Sequence, residues 1–454
     1  MKYKFIVLVF ILLFFNKIEA QKNFTLYGLN ETAQAHYLNP AFKTKAKFYL
    51  SLPIAYQSFG ISNSGFKLND LLQTRASDDS LVLNPNNALN KMADLNFLTA
   101  EMHNEILAFG FKSKDNYFSF SLTNHLVSNF TYPSDLFRFA IEGNGKSLLG
   151  KRASLDGLGF NLNSYIEYAF GYNRKVNSKL TIGGRLKLLS GIANVDTRKS
   201  KLGITTDATT FDLTIDGAAE VNTSGVKPFY ETSTATYNPF KSILNFKNFG
   251  MAVDLGATYE LSEKFAFNAS LLDLGAIKWD TDNANFVSNE VNFKFEGVDL
   301  NQYLNDSTYS FVDAISDTLT KVFDGYENSE SYTSGLYTRF YLGSTYKVSK
   351  RFDIGATLYN EFIKKQYRAG LILSGNLKVN NWFAATINYS AYARSFANIG
   401  FGFSIKGGPF QWYIISDNIL AFMAPQGAKN AHLSTGLSIL IGPNKDKEDK
   451  AKFE

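Results

Sequence analysis

Four histidines are the residues best suited to acid–base or metal chemistry: His36, His103, His125 and His432. No two of them have the spacing of a metal-binding pair, and the chain lacks cysteine, so it offers no thiolate ligand. A hydrolytic site would need a nucleophile, a histidine and an orienting group on one wall, and a nucleotide site would need a glycine-rich loop after a strand. Neither pattern occurs in the sequence. We therefore predict no enzyme, no metal and no cofactor, with His103 and His125 making ordinary hydrogen bonds at the ends of strands.

Six charged residues that we place on the inward faces of strands form the second candidate group. Arg185 and Lys187, for example, alternate with Leu186 and Leu188. Such a group has two possible roles, because its members could form a selective pore constriction or could pair with one another and with a plug. Both alternatives stay open. The six residues are Glu167, Arg185, Lys187, Asp254, Arg339 and Asp353.

The elements that would position these charges are strands, because apolar and polar residues alternate with period two in many segments of about ten residues. In Tyr165–Tyr172, the side chains of Ile166, Tyr168 and Phe170 share one face, opposite Glu167. Soluble β-sandwiches also alternate in this way. The pattern alone therefore predicts strands but does not place them in a membrane.

A repeated turn favours a membrane barrel over a sandwich. In each copy an aliphatic residue ends one strand, a short polar turn follows, and an apolar or aromatic residue opens the next strand. Aromatic residues beside such turns are typical of the girdle at a membrane interface. The four copies are 176–180, 261–265, 348–352 and 379–383.

The long connections all fall on the side opposite these four turns, which is the asymmetry of bacterial outer-membrane barrels. We therefore predict an all-β fold, a closed antiparallel transmembrane β-barrel of about 14 strands (range 12–16), with short periplasmic turns and long extracellular loops. The predicted long loops are 58–104, 125–156, 191–248, 275–334 and 418–430. The predicted strands are 48–57, 105–112, 116–124, 160–173, 179–190, 249–260, 265–274, 335–347, 352–362, 367–378, 383–392, 395–405, 410–417 and 431–441.

Two further strand-like segments, 193–205 and 209–221, would raise the number of strands to sixteen. The first of them contains the polar run 196–201, which offers no apolar face to lipid. A charge on the lipid face costs about 2–4 kcal/mol at the middle of the membrane. We therefore predict that this pair forms an extracellular hairpin. In the largest loop, 275–334, we expect one helix near 310–323, which would cap the mouth or bind a partner protein.

The N-terminal residues predict export. Lys2 and Lys4 precede the apolar run Phe5–Phe15, which is too short to span a bilayer as a helix but suits a cleaved signal peptide at 1–20. The chain carries +5, of which residues 1–20 supply +2, and the remaining +3 is too weak for a nucleic-acid partner. We divide the chain into a signal peptide at 1–20, a periplasmic or hatch segment at 21–47, the barrel at 48–441 and a charged periplasmic tail at 442–454.

Residues Asn39, Pro40, Ala41 and Phe42, just before the first predicted strand, resemble the Asn-Pro-Ala motif of the long-chain fatty-acid-transporter-like superfamily. Members of that superfamily are fourteen-stranded barrels whose N-terminal segment folds into the lumen as a hatch. The resemblance therefore implies a fourteen-stranded barrel here and makes Asn39, Pro40, Ala41 and Phe42 the best candidate functional residues. The alternative is that these four residues only shape a turn near the N-terminus and have no further role.

Two longer segments, Tyr165–Thr197 and Gly335–Leu358, resemble an uncharacterised family of Bacteroidota outer-membrane proteins. This resemblance covers nearly the whole mature chain. It implies a Bacteroidota source and an outer-membrane location, and it implies no particular activity.

Two functional hypotheses remain. The first is passive transport of a small or hydrophobic ligand through a plugged lumen, which predicts an apolar path past the hatch. The second is a structural barrel that binds a protein partner at its extracellular loops, which predicts a fully plugged lumen and an exposed apolar patch on those loops. In both hypotheses the outer face contacts outer-membrane lipid.

Overall fold

The computed structural model describes residues 22–42, 45–53, 55–75, 77–227, 245–295, 325–364, 366–392 and 394–443. The predicted signal peptide, the predicted helix near 310–323 and all but the first two residues of the predicted tail lie outside these ranges.

Most of the described chain is strand. In chain order the strands are β1 (Ala46–Ser51), β2 (Tyr56–Asn63), β3 (Leu72–Thr74), β4 (Leu81–Leu83), β5 (Leu95–Ser113), β6 (Asn116–Pro133), β7 (Arg152–Ser154), β8 (Gly159–Lys175), β9 (Leu180–Thr206), β10 (Leu213–Ser224), β11 (Phe249–Glu260), β12 (Phe265–Trp279), β13 (Asn285–Ser288), β14 (Val291–Phe295), β15 (Gly325–Asn328), β16 (Tyr332–Gly335), β17 (Thr338–Lys347), β18 (Phe352–Ile363), β19 (Gln366–Val379), β20 (Phe383–Tyr392), β21 (Ser395–Gly407), β22 (Phe410–Ser416) and β23 (Asn430–Pro443).

Fourteen antiparallel strands close into one barrel, as the sequence predicts. β1 and β2 together form the first strand of the wall, and β23 pairs with them on one side while β5 pairs with them on the other. Leu50, for example, lies opposite Ile439 and Phe109. The closed ring leaves no free edge, so every wall strand has two hydrogen-bonded neighbours. The remaining wall strands are β6, β8, β9, β11, β12, β17, β18, β19, β20, β21 and β22.

The two faces of the wall differ in chemistry along each strand. On β18, Ile354 and Leu358 are exposed on the outer face, whereas Tyr359 and Glu361 are buried in the lumen. Large apolar side chains are exposed in the same alternation on the other wall strands, for example Leu186, Leu342 and Ile387. Such a surface is unfavourable in water, and the apolar outer face of a transmembrane barrel contacts lipid instead.

The four predicted turns lie at one end of the barrel, and those at 176–180, 261–265 and 348–352 are closed by side-chain hydrogen bonds. Asn177 Oδ1 accepts from the amides of Lys179 and Leu180 at 2.9 and 2.8 Å. In the same way, the Ser262 hydroxyl accepts from the amides of Lys264 and Phe265, and the Ser349 hydroxyl accepts from those of Arg351 and Phe352. Local acceptors of this kind stabilise tight turns without help from distant residues, which explains why the turns are visible in the sequence.

The strands at the opposite end are longer than predicted. β5 begins at Leu95 and β6 runs to Pro133, so the predicted loops 58–104 and 125–156 contain strand at their edges. β9 continues to Thr206 and pairs there with β10, forming a hairpin that extends beyond the barrel wall in place of two extra wall strands. This hairpin occupies much of the predicted loop 191–248, and β13–β16 lie within the predicted loop 275–334.

Helices are short. They are Phe24–Gly28, Leu68–Leu71, Pro85–Lys91, Ser134–Glu142 and Leu420–Met423, with 3-10 turns at Ala33–Tyr37 and Pro425–Gly427. In the described residues, no helix combines the length and apolarity that crossing a membrane requires.

Candidate functional site

Residues 22–42, called the N-terminal segment below, lie inside the barrel. Leu26 and Ala35 are fully buried, and the segment joins no strand of the wall. Its first helix is held at its N-terminus by Asp417 of the wall, whose carboxylate accepts from the amides of Phe24 and Thr25 at 3.0 and 2.7 Å. Side-chain contacts, and not backbone pairing, therefore keep the segment in place.

An aromatic pocket of the wall holds the first helix of the segment. The ring of Phe24 meets Tyr359 and Tyr392 edge-on, with centroid distances of 5.0 and 5.6 Å. Tyr27 stacks on Tyr341 at 5.2 Å. The three wall tyrosines belong to β17, β18 and β20, so they line one side of the lumen. The rings of Phe24 and Tyr27 therefore fill this aromatic pocket.

The Asn39-Pro40-Ala41 turn packs on the other side of the lumen. Asn39 Oδ1 accepts from the amide of Ala41 at 2.9 Å, which closes the turn, and Asn39 Nδ2 donates to the carbonyl of Ala269 at 3.2 Å. Asn173 Nδ2 donates to the carbonyl of Pro40 at 2.9 Å. Phe42 packs against Tyr27 within the segment, with a centroid distance of 5.1 Å. Asn39 and Pro40 therefore dock the segment on β8, β11 and β12, whereas the Ala41 hydrogen bond and the Phe42 ring contact lie within the segment.

Two paired glycines give this turn the space it occupies. Gly183 on β9 and Gly256 on β11 are register partners. A Cβ on Gly183 would lie 2.8 Å from the amide nitrogen of Ala41, and one on Gly256 would lie 2.8 Å from Cδ of Pro40. Both distances are shorter than van der Waals contact, so any side chain at either position would displace the turn.

We expect Gly183→Ala to loosen the N-terminal segment, whereas Gly184→Ala should not. A Cβ on Gly184 has its nearest neighbour at 3.5 Å and therefore fits. Limited trypsin digestion checks this, because cleavage after Lys22, which is 4% exposed, requires the segment to leave the lumen. Equal protection of Lys22 in the two variants would refute the packing argument.

The segment should also undock in acid. Burial alone would raise the pKa of Glu31, but Lys378 and Lys45 outweigh burial and hold that pKa below its ordinary value. Burial, helped by the charge of Arg185, lowers the pKa of His36 to about 3. The detached segment therefore binds more protons than the docked one, and docking weakens as the pH falls from about 6.5 towards 3.

Hydrogen exchange of residues 22–42 at pH 7 and pH 4 measures this effect. We expect lower protection at pH 4 after correction for the intrinsic rates, and a smaller difference in His36→Gln. Protection that does not change with pH would contradict the assignment.

A balanced ion network lies beside the docked turn. Arg185 reaches Glu167 at 2.9 Å and Asp254 at 3.0 Å. Lys187 reaches Glu167, Asp254 and Asp273 at 3.2, 2.8 and 2.6 Å. These five side chains are each less than 10% exposed, and their charges pair with one another and with Arg339. The network contacts the N-terminal segment through Arg185, whose guanidinium lies 4.9 Å from the ring centroid of Tyr37.

A second network anchors the start of the segment. Lys22 is paired with Glu101 on β5 and, at 2.6 Å, with Glu361 on β18. Glu361 also accepts a hydrogen bond from the hydroxyl of Tyr392 at 2.6 Å. Lys22 therefore bridges two walls of the barrel, and the helix that begins at Phe24 continues from this bridge.

The structure places the six predicted inward charges as follows. Glu167, Arg185, Lys187 and Asp254 share the first network, and Arg339 joins it through Asp273. Asp353 lies apart, where it accepts a hydrogen bond from Asn376 at 2.7 Å. Sequence reasoning missed Asp273, whose backbone lies in the left-handed region (φ 58°) at a bulge between β11 and β12. The bulge interrupts the alternation, so no periodic pattern would have found it.

The histidines do not lie at strand ends as predicted. His103 and His125 face each other within β5 and β6, with ring centroids 4.5 Å apart, and His125 stacks on Tyr165. The prediction was wrong because both strands extend further than their alternation indicates. Among the described residues, no group of three or more potential ligands could hold a metal ion.

Polar side chains of β19 and its preceding turn cross the lumen beyond the N-terminal segment. Arg368 donates to Thr99 at 3.0 Å and to Asn129 at 2.7 Å on β5 and β6. Gln366 reaches Thr131 at 3.4 Å, and Lys364 is paired with Asp196 on β9. Lys364, Gln366 and Arg368 are called the cross-lumen row below. Gln366 and Arg368 lie two residues apart on β19 and share one face, whereas Lys364 lies in the preceding turn with a left-handed backbone (φ 53°). The three side chains join opposite walls of the barrel.

Three small cavities lie beside the N-terminal segment in the described part of the lumen. Their volumes are about 10, 20 and 30 Å³. The largest lies beside Phe24, Tyr27 and Phe42. About 10–15 Å³ suffices for one water, so cavities of these sizes hold water and exclude an aromatic ligand while the segment is docked.

Comparisons with known proteins give a family and several distant structural neighbours. The CymD monoaromatic hydrocarbon channel is 9% identical, with 91% of this chain and 94% of that chain covered and a TM-score of 0.43. The toluene transporter TbuX of Ralstonia pickettii is 8% identical over 90% and 93% of the two chains, with a TM-score of 0.41. A Pseudomonas aeruginosa FadL homologue is 10% identical over 90% and 94%, with a TM-score of 0.38.

No curated protein matches the sequence. The model of a family of unknown function, DUF5723, matches residues 40–417. That match covers most of the chain, including the Pro40-Ala41 part of the docked turn and thirteen strands of the wall up to β22. The chain therefore belongs to the DUF5723 family.

Proposed function

We propose that this barrel resides in the outer membrane and passively transports a small hydrophobic ligand when its N-terminal segment leaves the lumen. The observation that carries the proposal is the docking of the segment through side chains alone, with Phe24 in an aromatic pocket of the wall. Removal of the segment would break no backbone pairing of the wall. It would expose Tyr341, Tyr359 and Tyr392 to a ligand with similar chemistry.

The proposal includes an orientation and a division of the chain. The short turns face the periplasm and the long loops face outward, because bacterial barrels have this asymmetry. Residues 1–20 are a cleaved signal peptide, 21–47 a hatch, 48–441 the barrel and 442–454 a periplasmic tail, and the source is a member of the Bacteroidota. The aromatic residues exposed near the short turns, such as Tyr172, Tyr259 and Tyr346, support a membrane interface at that end. Catalysis has no part in the proposal.

A disulfide that locks the segment in place tests transport. A Cβ on Gly28 would lie 3.1 Å from Cβ of Thr386, close to the roughly 3.5–4.5 Å of a disulfide, and it would also meet Oδ1 of Asn376, so the disulfide between Gly28→Cys and Thr386→Cys requires the Asn376 side chain to move aside. The chain has no cysteine of its own, so no other disulfide can form within it. The readout is uptake of the aromatic dye N-phenyl-1-naphthylamine by cells that carry the barrel.

We expect oxidation to block dye uptake in the double variant and a reductant to restore it. Each single cysteine variant controls for the substitution itself and should not respond to oxidant. If dye uptake continues after the disulfide has formed, departure of the N-terminal segment from the lumen is not what opens the path. Wild-type uptake no higher than that of cells without the barrel would exclude transport of this ligand class.

The small lumen cavities and the cross-lumen row favour a second function, a closed barrel that binds a protein partner at its outer loops. Exposed apolar side chains at the long-loop end would suit such contact, for example Leu81 and Met423, which are 71% and 76% exposed. A closed barrel would give no dye uptake with or without the disulfide. The crosslinking experiment therefore separates the two functions.

A further inference from the structure

A ring of cationic side chains surrounds the barrel at the short-turn end. The members, called the basic rim below, lie at the N-terminal strand or beside five of the six short turns, and all are exposed or half-exposed. They are Lys45, Lys47, Lys112, Lys114, Arg174, Lys175, Lys179, Lys264, Lys347, Lys350, Arg351 and Lys406.

Few carboxylates balance this charge. The acidic side chains exposed or half-exposed at the same end of the described chain are Glu31, Asp115, Glu260, Glu263 and Asp353, against twelve cations. The excess of seven is larger than the net charge of +5 of the whole chain, so the remainder of the chain is net negative. Within the described residues, most rim cations make no ion pair; these are Lys47, Lys114, Arg174, Lys175, Lys179, Lys264, Lys347, Arg351 and Lys406.

The rim lies at the depth of lipid headgroups. Tyr172 precedes Arg174 by two residues, Tyr346 directly precedes Lys347, and Phe352 directly follows Arg351, with all three rings exposed on the outer face. Aromatic rings in this position mark the membrane interface. One or two residues along a strand correspond to about 3–7 Å, so the cations lie at the depth of the headgroups, with Arg174 on the same outer face as Tyr172 and Lys347 on the face opposite to Tyr346.

We propose that the basic rim binds acidic phospholipid headgroups of the leaflet at the short-turn end. The cations are spread around the circumference, and a lipid leaflet surrounds a barrel on every side, whereas a protein partner would cover one sector. A lysine or arginine near an anionic surface gains favourable electrostatic energy that salt screens. This binding requires a membrane-embedded barrel but not transport, so its failure would leave the proposed function standing.

Two tryptophans make the binding measurable. Trp382 and Trp412 are 53% and 39% exposed at the short-turn end, whereas Trp279 is fully buried towards the other end. The full chain is reconstituted in phosphatidylcholine vesicles that contain increasing fractions of brominated phosphatidylglycerol or brominated phosphatidylcholine. We expect the phosphatidylglycerol to quench the rim tryptophans with at least about twofold higher relative affinity, and the preference to vanish in high salt.

Matched variants assign the preference to the rim. One variant changes Lys47, Lys114, Lys264, Lys347, Arg351 and Lys406 to Gln, and the control changes six exposed lysines at the other end, Lys146, Lys151, Lys199, Lys201, Lys247 and Lys278, to Gln. The first variant includes the rim cations on strands near a rim tryptophan, since Lys406 lies one strand from Trp412 and Lys47 two strands from it. We expect the first to lose the preference and the second to keep it. Equal quenching by both lipids in the wild type, or the same loss in both variants, would overturn the proposal. The salt titration of the wild type keeps the test valid if the rim variant fails to fold.

Discussion

A chain without residues 22–42 should conduct ions poorly until the cross-lumen row is also removed, and the two changes together should open a large pore. The cross-lumen row joins opposite walls through its own contacts, although Arg368 also shares Glu361 with Lys22 of the N-terminal segment. If the segment and the row each close the lumen, a high resistance remains until both are removed. Single-channel recording in planar bilayers would compare the deletion, the triple variant Lys364→Ser, Gln366→Ser and Arg368→Ser, and their combination.

The combined variant should have a conductance well above the sum of the conductances of the deletion and of the triple variant. A control variant replaces Lys146, Lys151 and Lys201 by serine; these lysines are exposed at the same end and make no described contact across the lumen. A full pore after the deletion alone would show that the cross-lumen row is not a closure. Heat-dependent migration on gels would first establish that each variant is folded.

The wall could be predicted from the sequence because its determinants are local. Alternation on β18 depends on neighbouring residues, and the turn at Asn177 is closed by its own side chain. The counting of strands therefore required no knowledge of distant contacts. The placement of the polar run 196–201 outside the membrane followed from the same local chemistry, since charges on a lipid face are costly.

The lumen could not be predicted in the same way, because its contacts join residues far apart in the chain. Lys22 meets Glu101 and Glu361 only once the barrel has closed. The long-loop ends of β5 and β6 were not predicted as strand. Glu101 and His103 are polar residues in a polar lumen, where the alternation of apolar and polar residues is weaker. Asn39, Pro40 and Ala41 were found by resemblance, whereas the paired glycines that receive them become meaningful only when β9 and β11 are seen to be neighbours.

Replacement of Lys187 by methionine should destabilise the barrel by about 3–5 kcal/mol, the range for removal of one partner from a buried ion pair. The Lys187 ammonium lies within 3.2 Å of carboxylate oxygens of Glu167 and Asp254 and within 2.6 Å of Asp273. Without it, three buried carboxylates share two guanidinium groups, and one negative charge has no partner. Methionine keeps most of the volume of the side chain, so loss of charge and not loss of packing dominates the effect.

Urea unfolding in lipid vesicles, followed by tryptophan fluorescence, would measure the change in the free energy of unfolding. Lys187→Arg keeps the charge and should recover part of the loss, limited by the larger guanidinium. Lys378→Met is the matched control, because Lys378 is 34% exposed and pairs with Glu31 at 3.3 Å, and partly exposed ion pairs contribute about 0–1 kcal/mol. Equal stability of Lys187→Met and the wild type would mean that water enters the network and solvates its carboxylates, and the lumen would then be open to solvent even with the N-terminal segment docked.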